Sequence, residues 1–490
     1  MLERQIKIGI FLVLCASGCA PALSDNPVRE PNRVLPGAFP ATSVTGEGAT
    51  DTVSPEGAAG ANAAQTHFRA FFQSPELQAL IDAALQNNQE LNVRLQEIVV
   101  ARAEVSAKRG EYSPKVEAVA GLGVEKVGDS TSQGISDKAH GLPGNLGKFD
   151  FGLRASWELD VWGKLRNSAN AANLRYLSTI EGKNFFVTQL VAEIARSYFD
   201  LVALDAELEV LHRNIAIQGD ALEVVKAEKQ AARVTELAVQ RFEAEVLKNK
   251  SRLYDLEQER VQVENRINFL VGRFPQPVAR NARAIQEPLP ALLAAGLPSQ
   301  LLDNRPDVRH AELELDAAKL DTRAAKANFY PSLHIDAALG YQSFNLSHLL
   351  KTPESVFYDL AGGLTAPLLN RKGIEAQYRS ANARQLAAVF TYERTLLQAF
   401  TDVANQLVVL ENLQKSYDLR KKQVDTLQRS VEVSTVLFQS ARADYMEVLL
   451  TRRDSLDAEL ETIETKKRLL QSLVNLYQAL GGGWRPPGRR

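Results

Sequence analysis

Cysteine is almost absent: Cys15 and Cys19 are the only two in 490 residues, and both lie near the start. Neither a disulfide framework nor a cysteine-ligated metal centre is open to the body of the chain, which must hold itself by packing alone. Beyond the N-terminal segment no apolar run is long enough to cross a bilayer as a helix. The formal net charge of -2 does not suggest a strong nucleic-acid partner. There is no Walker-type glycine loop, paired-histidine zinc motif or nucleophile elbow, and the six histidines are scattered, so they read as solvated or structural. The chain is therefore expected to be no enzyme, with no catalytic residue, no metal ligand and no dissociable cofactor. Proline is missing from two long intervals, 144–274 and 368–485, and glycine is missing from 374–480. Where Ala, Leu, Gln, Glu, Arg and Lys fill such intervals, very long helices are expected. The stretch from about 373 to 438 alone would measure roughly 100 Å at the helical rise.

At the start, Arg4 and Lys7 precede an apolar run from Ile8 to Leu14 and then the small residues Ala16, Ser17 and Gly18 before Cys19. This is a secretory signal, assigned to residues 1–18. The small residues before Cys19 resemble the lipobox of bacterial lipoproteins, although Ala16 stands where that motif prefers Leu. The resemblance implies that Cys19 becomes the mature N-terminus and carries diacylglycerol with an N-acyl chain. Residues 19–66, rich in Pro, Ala, Gly, Ser and Thr, read as an extended tether behind this anchor.

A helix is expected from Ser74 to about Glu111, with Ser74 as N-cap and Pro75 in the first turn. Strict alternation follows in FDFGLRASWELDVW, where Phe149, Phe151, Leu153, Ala155, Trp157, Leu159 and Val161 share one face. Weaker alternation marks three more segments, giving strands at about 114–127, 149–161, 331–343 and 356–368. The chain also repeats itself: AANLRYLS from Ala171 resembles SANARQLA from Ser380, and INFLVGR resembles YQALGGG. We assign a first repeat over 67–302, with a helical hairpin to 272 and a Pro-rich linker. A second repeat covers 303–484, and a tail covers 485–490. Ten-residue strands of alternating polarity are the mark of an outer-membrane barrel. Four cannot close one, and an open edge in hydrocarbon leaves backbone groups unpaired. Three copies would supply twelve strands, and two copies only eight, too few for a duct.

WELDVWGKLRNSANAA, NRPDVRHAELELDAAKLDTRAAKANFYPSLHIDAALG and LYQALGGGW, in that order, resemble the outer membrane factor family, over about residues 74–484. The resemblance implies a mainly helical mixed fold: a homotrimer whose twelve-stranded outer-membrane β-barrel continues into a long periplasmic α-helical barrel, with an internal duplication. It implies a lipid-anchored, barrel-inserted exit channel of a tripartite efflux pump, partnered by a periplasmic adaptor and an inner-membrane transporter expected to be of RND type. Export of proteins by a type I system, or of metals, stays open as the cargo. A periplasmic adaptor lipoprotein is a distant alternative, and a coiled-coil spacer another; duplicated hairpins and four amphipathic strands argue against both.

The family's hairpin tips touch the adaptor, and they map to Ala232, Arg233 and Thr235 in the first copy and Ala441, Arg442 and Asp444 in the second; family members commonly have glycine where Ala232 and Ala441 stand. Residues just after the second tip line the periplasmic gate in relatives. Carried over, these are Met446, Glu447, Leu450, Arg453 and Asp454. A threefold ring of Glu447 carboxylates would repel itself and favour cations. Phe149, Trp157, Trp162 and Tyr341 are candidates for the aromatic girdle at the membrane interface.

Overall fold

The structure, a computed structural model, describes residues 29–37, 39, 65–281, 285, 298–366, 372–440 and 442–485. Cys19 and the signal, most of the tether and of the Pro-rich linker, Ala441 and the tail beyond Arg485 lie outside the described residues. In chain order the principal elements are α1 (Pro75–Asn87), α2 (Gln89–Gly110), β1 (Lys115–Glu125), α3 (Ser132–Ala139), β2 (Leu146–Leu159), α4 (Lys164–Gln230), α5 (Glu236–Val271), α6 (Pro306–Ala327), β3 (Ser332–Ser343), β4 (Val356–Thr365), α7 (Lys372–Gln439) and α8 (Tyr445–Ala479). The chain divides into two compact units, one built from 1–31, 98–179 and 311–392, the other from 32–97, 180–310 and 393–490. Each unit takes segments from both sequence repeats, so compactness does not follow the duplication.

Helix α4 has 67 residues and α7 has 68. At 1.5 Å per residue each is about 100 Å long, as the run free of breakers predicts. No described helix is both long and apolar enough to cross a membrane. The helix expected to run unbroken from Ser74 to about Glu111 is instead two. Ser74 does cap α1, its Oγ accepting from Leu77 N at 3.3 Å, with Pro75 at the first turn. Asn88 then interrupts: its Oδ1 accepts from Leu91 N at 2.8 Å, capping α2, while its Nδ2 donates to Leu270 O at 2.8 Å. A polar side chain that satisfies backbone groups on two sides outcompetes one continuous helix.

The same joint is built twice. Gly272 ends α5 at φ +78°, and a Cβ there would lie 2.3 Å from Asn87 O. Gly481 follows α8 at φ +90°, and a Cβ there would lie 2.4 Å from Asn304 O. Only glycine combines the left-handed turn with so close a backbone approach. In the second copy the NRPD segment completes the joint. Pro306 opens α6, and the Arg305 guanidinium, buried, donates to Asp307 at 2.7 Å, to Asp402 at 3.3 Å and to Ala479 O at 3.0 Å. Trp484 Nε1 donates to Asn304 O at 3.2 Å. Around these joints a core forms from Leu77, Ile81, Ile194, Tyr198, Leu201, Ile267 and Tyr477, and the Tyr477 hydroxyl donates to Thr66 O at 2.6 Å.

The four strands form one antiparallel sheet in the order β1-β2-β3-β4. Leu153 sits between Ala118 and Leu339, and Arg154 between Glu117 and Ala338, so each strand's alternation builds one apolar and one polar face. On the apolar face Leu122 is 82% and Tyr358 83% exposed, with Leu153, Leu339, Leu360 and Leu364 also exposed. Strand β2 starts earlier than its alternation suggests, because Gly147 and Lys148 pair with Val124 and Gly123. It stops at Leu159 rather than Val161. Asp160 there turns its carboxylate onto α4, accepting from Leu165 N at 3.0 Å and Arg166 N at 2.9 Å, and Gly163 makes the bend at φ +75°.

Within the helices, a buried polar pair marks the first hairpin. Asn249 on α5 donates to Gln218 Oε1 on α4 at 2.8 Å, and both residues are buried. Nearer the core joint, Glu207 is set mostly by burial, which pushes its carboxyl up to about 7, with Glu464 and Glu259 adding to the rise against Lys467 and Arg252. A folded-state value raised above the unfolded one means that the neutral acid suits the fold. Stability should therefore increase as pH falls from 8 through 7 towards 4.5, and decrease as the carboxylate forms. Glu207→Gln is expected to flatten this dependence and to be the more stable protein at pH 8, read by urea unfolding across that range.

Candidate functional site

The two hairpins end in tips built alike. In the first, α4 closes with Ala232 N donating to Lys229 O and Arg233 N donating to Glu228 O, both at 2.9 Å. Ala232 holds φ +56°, the only described non-glycine residue on that side of the map. Thr235 then stands at the N-cap of α5 in extended backbone, without a side-chain capping bond, and Lys229 pairs with Glu236 across the turn. In the second tip, Arg442 N donates to Leu437 O at 2.9 Å, and Asp444 holds the N-cap of α8, again without a side-chain bond. Arg233, Thr235, Arg442 and Asp444 are all exposed.

Behind the tips the expected gate residues part company. Met446 is half-buried against a cluster of Leu222, Val225, Val239, Phe242 and Leu449, and its sulfur accepts from Arg241 Nη1 at 3.2 Å. Glu447, Leu450 and Asp454 instead share one face of α8, at helical spacing, and line an open groove of about 660 Å³. Arg453 Nη2 lies 3.3 Å from Asp454 Oδ1. The opposite wall is α7: Thr426, Ser430, Val433 and Leu437, with Arg429. That wall had no place in the sequence reading, although its spacing of four, three and four residues marks one helical face. Arg241 was likewise missed, because only the packing of the first hairpin on the second brings it to Met446.

The aromatic candidates fall at the two ends of the strands. Tyr341 stacks on Phe151 with centroids 5.2 Å apart, and Phe149 lies one step beyond on the same face. At the other end, Trp157 Nε1 donates to Tyr112 O at 3.0 Å, and Trp162 stacks on Tyr330 and donates to Pro331 O at 2.7 Å. From Phe149 to Trp157 the strand rises about 26 Å, at roughly 3.3 Å per residue. Tilted by about 35–45° as strands are in outer-membrane barrels, that length would cover about 20 Å of an apolar band about 25 Å tall.

A sheet with one apolar and one polar face, feeding helices about 100 Å long that end in tight tips, defines the class of outer-membrane export ducts. The profile described as outer membrane efflux protein matches residues 80–273 and 297–482, and the chain belongs to that family. Among curated proteins it is similar to the probable outer membrane lipoprotein SilC of Salmonella typhimurium, 27% identical over 86% of this chain and 88% of that protein. It is 28% identical to the pyoverdine export outer membrane protein OpmQ of Pseudomonas aeruginosa, over 84% of this chain and 86% of that one. Among solved structures, the open-state MtrE outer membrane channel of Neisseria gonorrhoeae superposes with a TM-score of 0.77 at 25% identity, covering 93% of this chain and 97% of that one. The outer-membrane channel OprN has the same fold, with a TM-score of 0.80 at 22% identity over 94% of this chain and 100% of that one. The chain is an outer-membrane efflux component.

Ala232 is where the tip departs from an ideal turn, since a side chain in the left-handed region costs about 1 kcal/mol or more. Ala232→Gly is expected to stabilise the protein by up to about 1 kcal/mol and Ala232→Val to destabilise it, measured by thermal unfolding of the purified protein.

Proposed function

We propose that three copies of this chain form the exit duct of a tripartite efflux pump. The observation that supports this most strongly is the sheet, whose exposed apolar face requires lipid and whose β1 and β4 each have one edge without a partner strand among the described residues. Closure by three copies satisfies both needs, with twelve strands around a polar lumen. The aromatics Phe149, Trp157, Trp162 and Tyr341 then sit at the two interfaces. Cys19 carries the lipid, in keeping with a relative that is itself named an outer membrane lipoprotein. The tips, with Ala232, Arg233, Thr235, Ala441, Arg442 and Asp444, meet a periplasmic adaptor, which links the duct to an inner-membrane transporter of RND type. Relatives are named for pyoverdine export, for cation efflux and for toluene efflux, so one duct architecture serves chemically unlike cargoes, and the choice of cargo lies with the transporter.

The gate in this reading is the groove face of α8: Glu447 nearest the tip, Leu450 a turn deeper and Asp454, held by Arg453, beyond it. Met446 acts from behind by fixing α8 on the first hairpin through Arg241. Three Glu447 carboxylates near a common axis repel one another and draw cations, so they set ion preference and bias the gate towards opening.

Two measurements test this. Purified in detergent, the protein should have the mass of a trimer and should migrate differently on gels after heating; a stable monomer that inserts in no bilayer rules out the duct. In planar bilayers Glu447→Ala should lower the preference for cations and change the unitary conductance. If both match the unsubstituted channel, Glu447 does not line the constriction.

A further inference from the structure

The row of α8 that packs on the first hairpin reads Leu456, Leu460, Ile463, Lys467, Leu470 and Val474, at the spacing of one helical face, and Lys467 is its only charge. Leu456 and Leu460 share a core cluster with Leu204, Leu208 and Leu211 of α4, and Leu470 and Val474 share another with Ile194 and Leu201. Where the two clusters meet, α4 carries Asp200 and Glu207, seven residues apart and so on one face. Lys467 Nζ lies 3.8 Å from Asp200 Oδ1 and also pairs with Glu464 on its own helix, while Gln471 Nε2 donates to Asp200 Oδ1 at 2.7 Å. Asp200 is thus the point at which two side chains of α8 hold α4. Glu207, half-buried, has neither a hydrogen bond nor an ion pair among the described residues. It faces Lys467 and Glu464 of α8 and Arg252 and Glu259 of α5. Both cations are already engaged, Lys467 as above and Arg252 with Asp457 at 3.6 Å.

A neutral Glu207 leaves this arrangement undisturbed. An ionised one is a partly desolvated charge with no free cation, so it competes with Asp200 for Lys467 or draws water into the seam. Either response weakens the tie between α8 and α4. Resting on the reading of the chain as an export duct, we propose that Asp200, Glu207 and Lys467 form a proton-operated latch between the two hairpins, closed while Glu207 is neutral and released when it ionises. Burial, the largest influence on Glu207, raises its carboxyl to about 7, which sets the working range around neutrality. Between pH 6 and pH 8 the ionised fraction of such a group runs from about one tenth to about nine tenths. Lys467 stands twenty residues beyond Glu447 on α8, about 30 Å along the helix. A tilt of about 5° at the latch therefore displaces the gate face by about 2.6 Å.

Hydrogen–deuterium exchange of α8 peptides in the purified full-length protein reads the latch without needing a channel, with the unsubstituted chain and Glu207→Gln compared at the same pH. A released, hydrated Glu207 returns to its ordinary value of 4.5, so the opening equilibrium of the unsubstituted chain should rise by up to about tenfold between pH 6 and pH 8 relative to Glu207→Gln. Asp200→Asn removes the anchor of Lys467 on α4 and should exchange fast at pH 6 already, which gives a second reading should Glu207→Gln fail to fold. The same pH profile in the unsubstituted chain and in Glu207→Gln overturns the latch, as does slow exchange of Asp200→Asn at pH 6. In planar bilayers both chains then carry Glu447→Ala, so that the gate carboxylates add no titration of their own. Mean conductance should rise from pH 6 to pH 8 only where Glu207 is intact. A latch seen by exchange beside a flat conductance overturns its coupling to the gate. A monomer that conducts at no pH overturns the duct reading itself, and the exchange result still decides the latch.

Discussion

The outer edges of β1 and β4 carry backbone N–H and C=O groups with no partner strand among the described residues, on a sheet whose broad face bears Leu122, Leu153, Leu339, Tyr358 and Leu360 in the open. In hydrocarbon each unpaired backbone group costs several kcal/mol, and in water the apolar face is itself unfavourable. Neither solvent suits the sheet as it stands. Pairing of these edges is thus a condition of the strands' existence in a membrane.

Much of this was legible in the residues because the governing signals are periodic. Alternation marked all four strands, and the absence of Pro and Gly marked α7 and α8 to within a few residues. The misreadings arose where a single side chain decides. Asn88 divides the first helix by bonding to Leu91 N and Leu270 O, and Asp160 ends β2 early by capping α4. Both depend on which backbone groups lie nearby in space, and spacing along the chain does not hold that information. The duplication was readable as sequence, yet the two compact units each draw on both copies, because elements this long find their neighbours across the repeat boundary.

The candidate site divides in the same way. The positions after the second tip were identifiable by resemblance, and Glu447, Leu450 and Asp454 do share one face. Which neighbour each one meets was not identifiable. Met446 and Glu447 are adjacent in the chain, yet one packs against the first hairpin and the other lines the groove, because successive helical residues point about 100° apart. The two hairpins also differ inside. The buried Gln218–Asn249 hydrogen bond penalises any slip of α4 against α5, because a shift would leave two buried amides unpaired.

Arg305 gives the second joint a temporal character. Its guanidinium donates to the Ala479 carbonyl, Asn304 O meets Trp484, and the Tyr477 hydroxyl reaches back to Thr66. These partners belong to the last stretch of the described chain, whereas the groups they satisfy come from much earlier in it. A polypeptide cut short before its final helix ends would have every strand and both tips, yet would leave a buried cation short of one acceptor and Thr66 O without its hydroxyl partner. Completeness of synthesis is thereby tied to stability: a product ended before Ala479 lacks contacts on which the second joint is built.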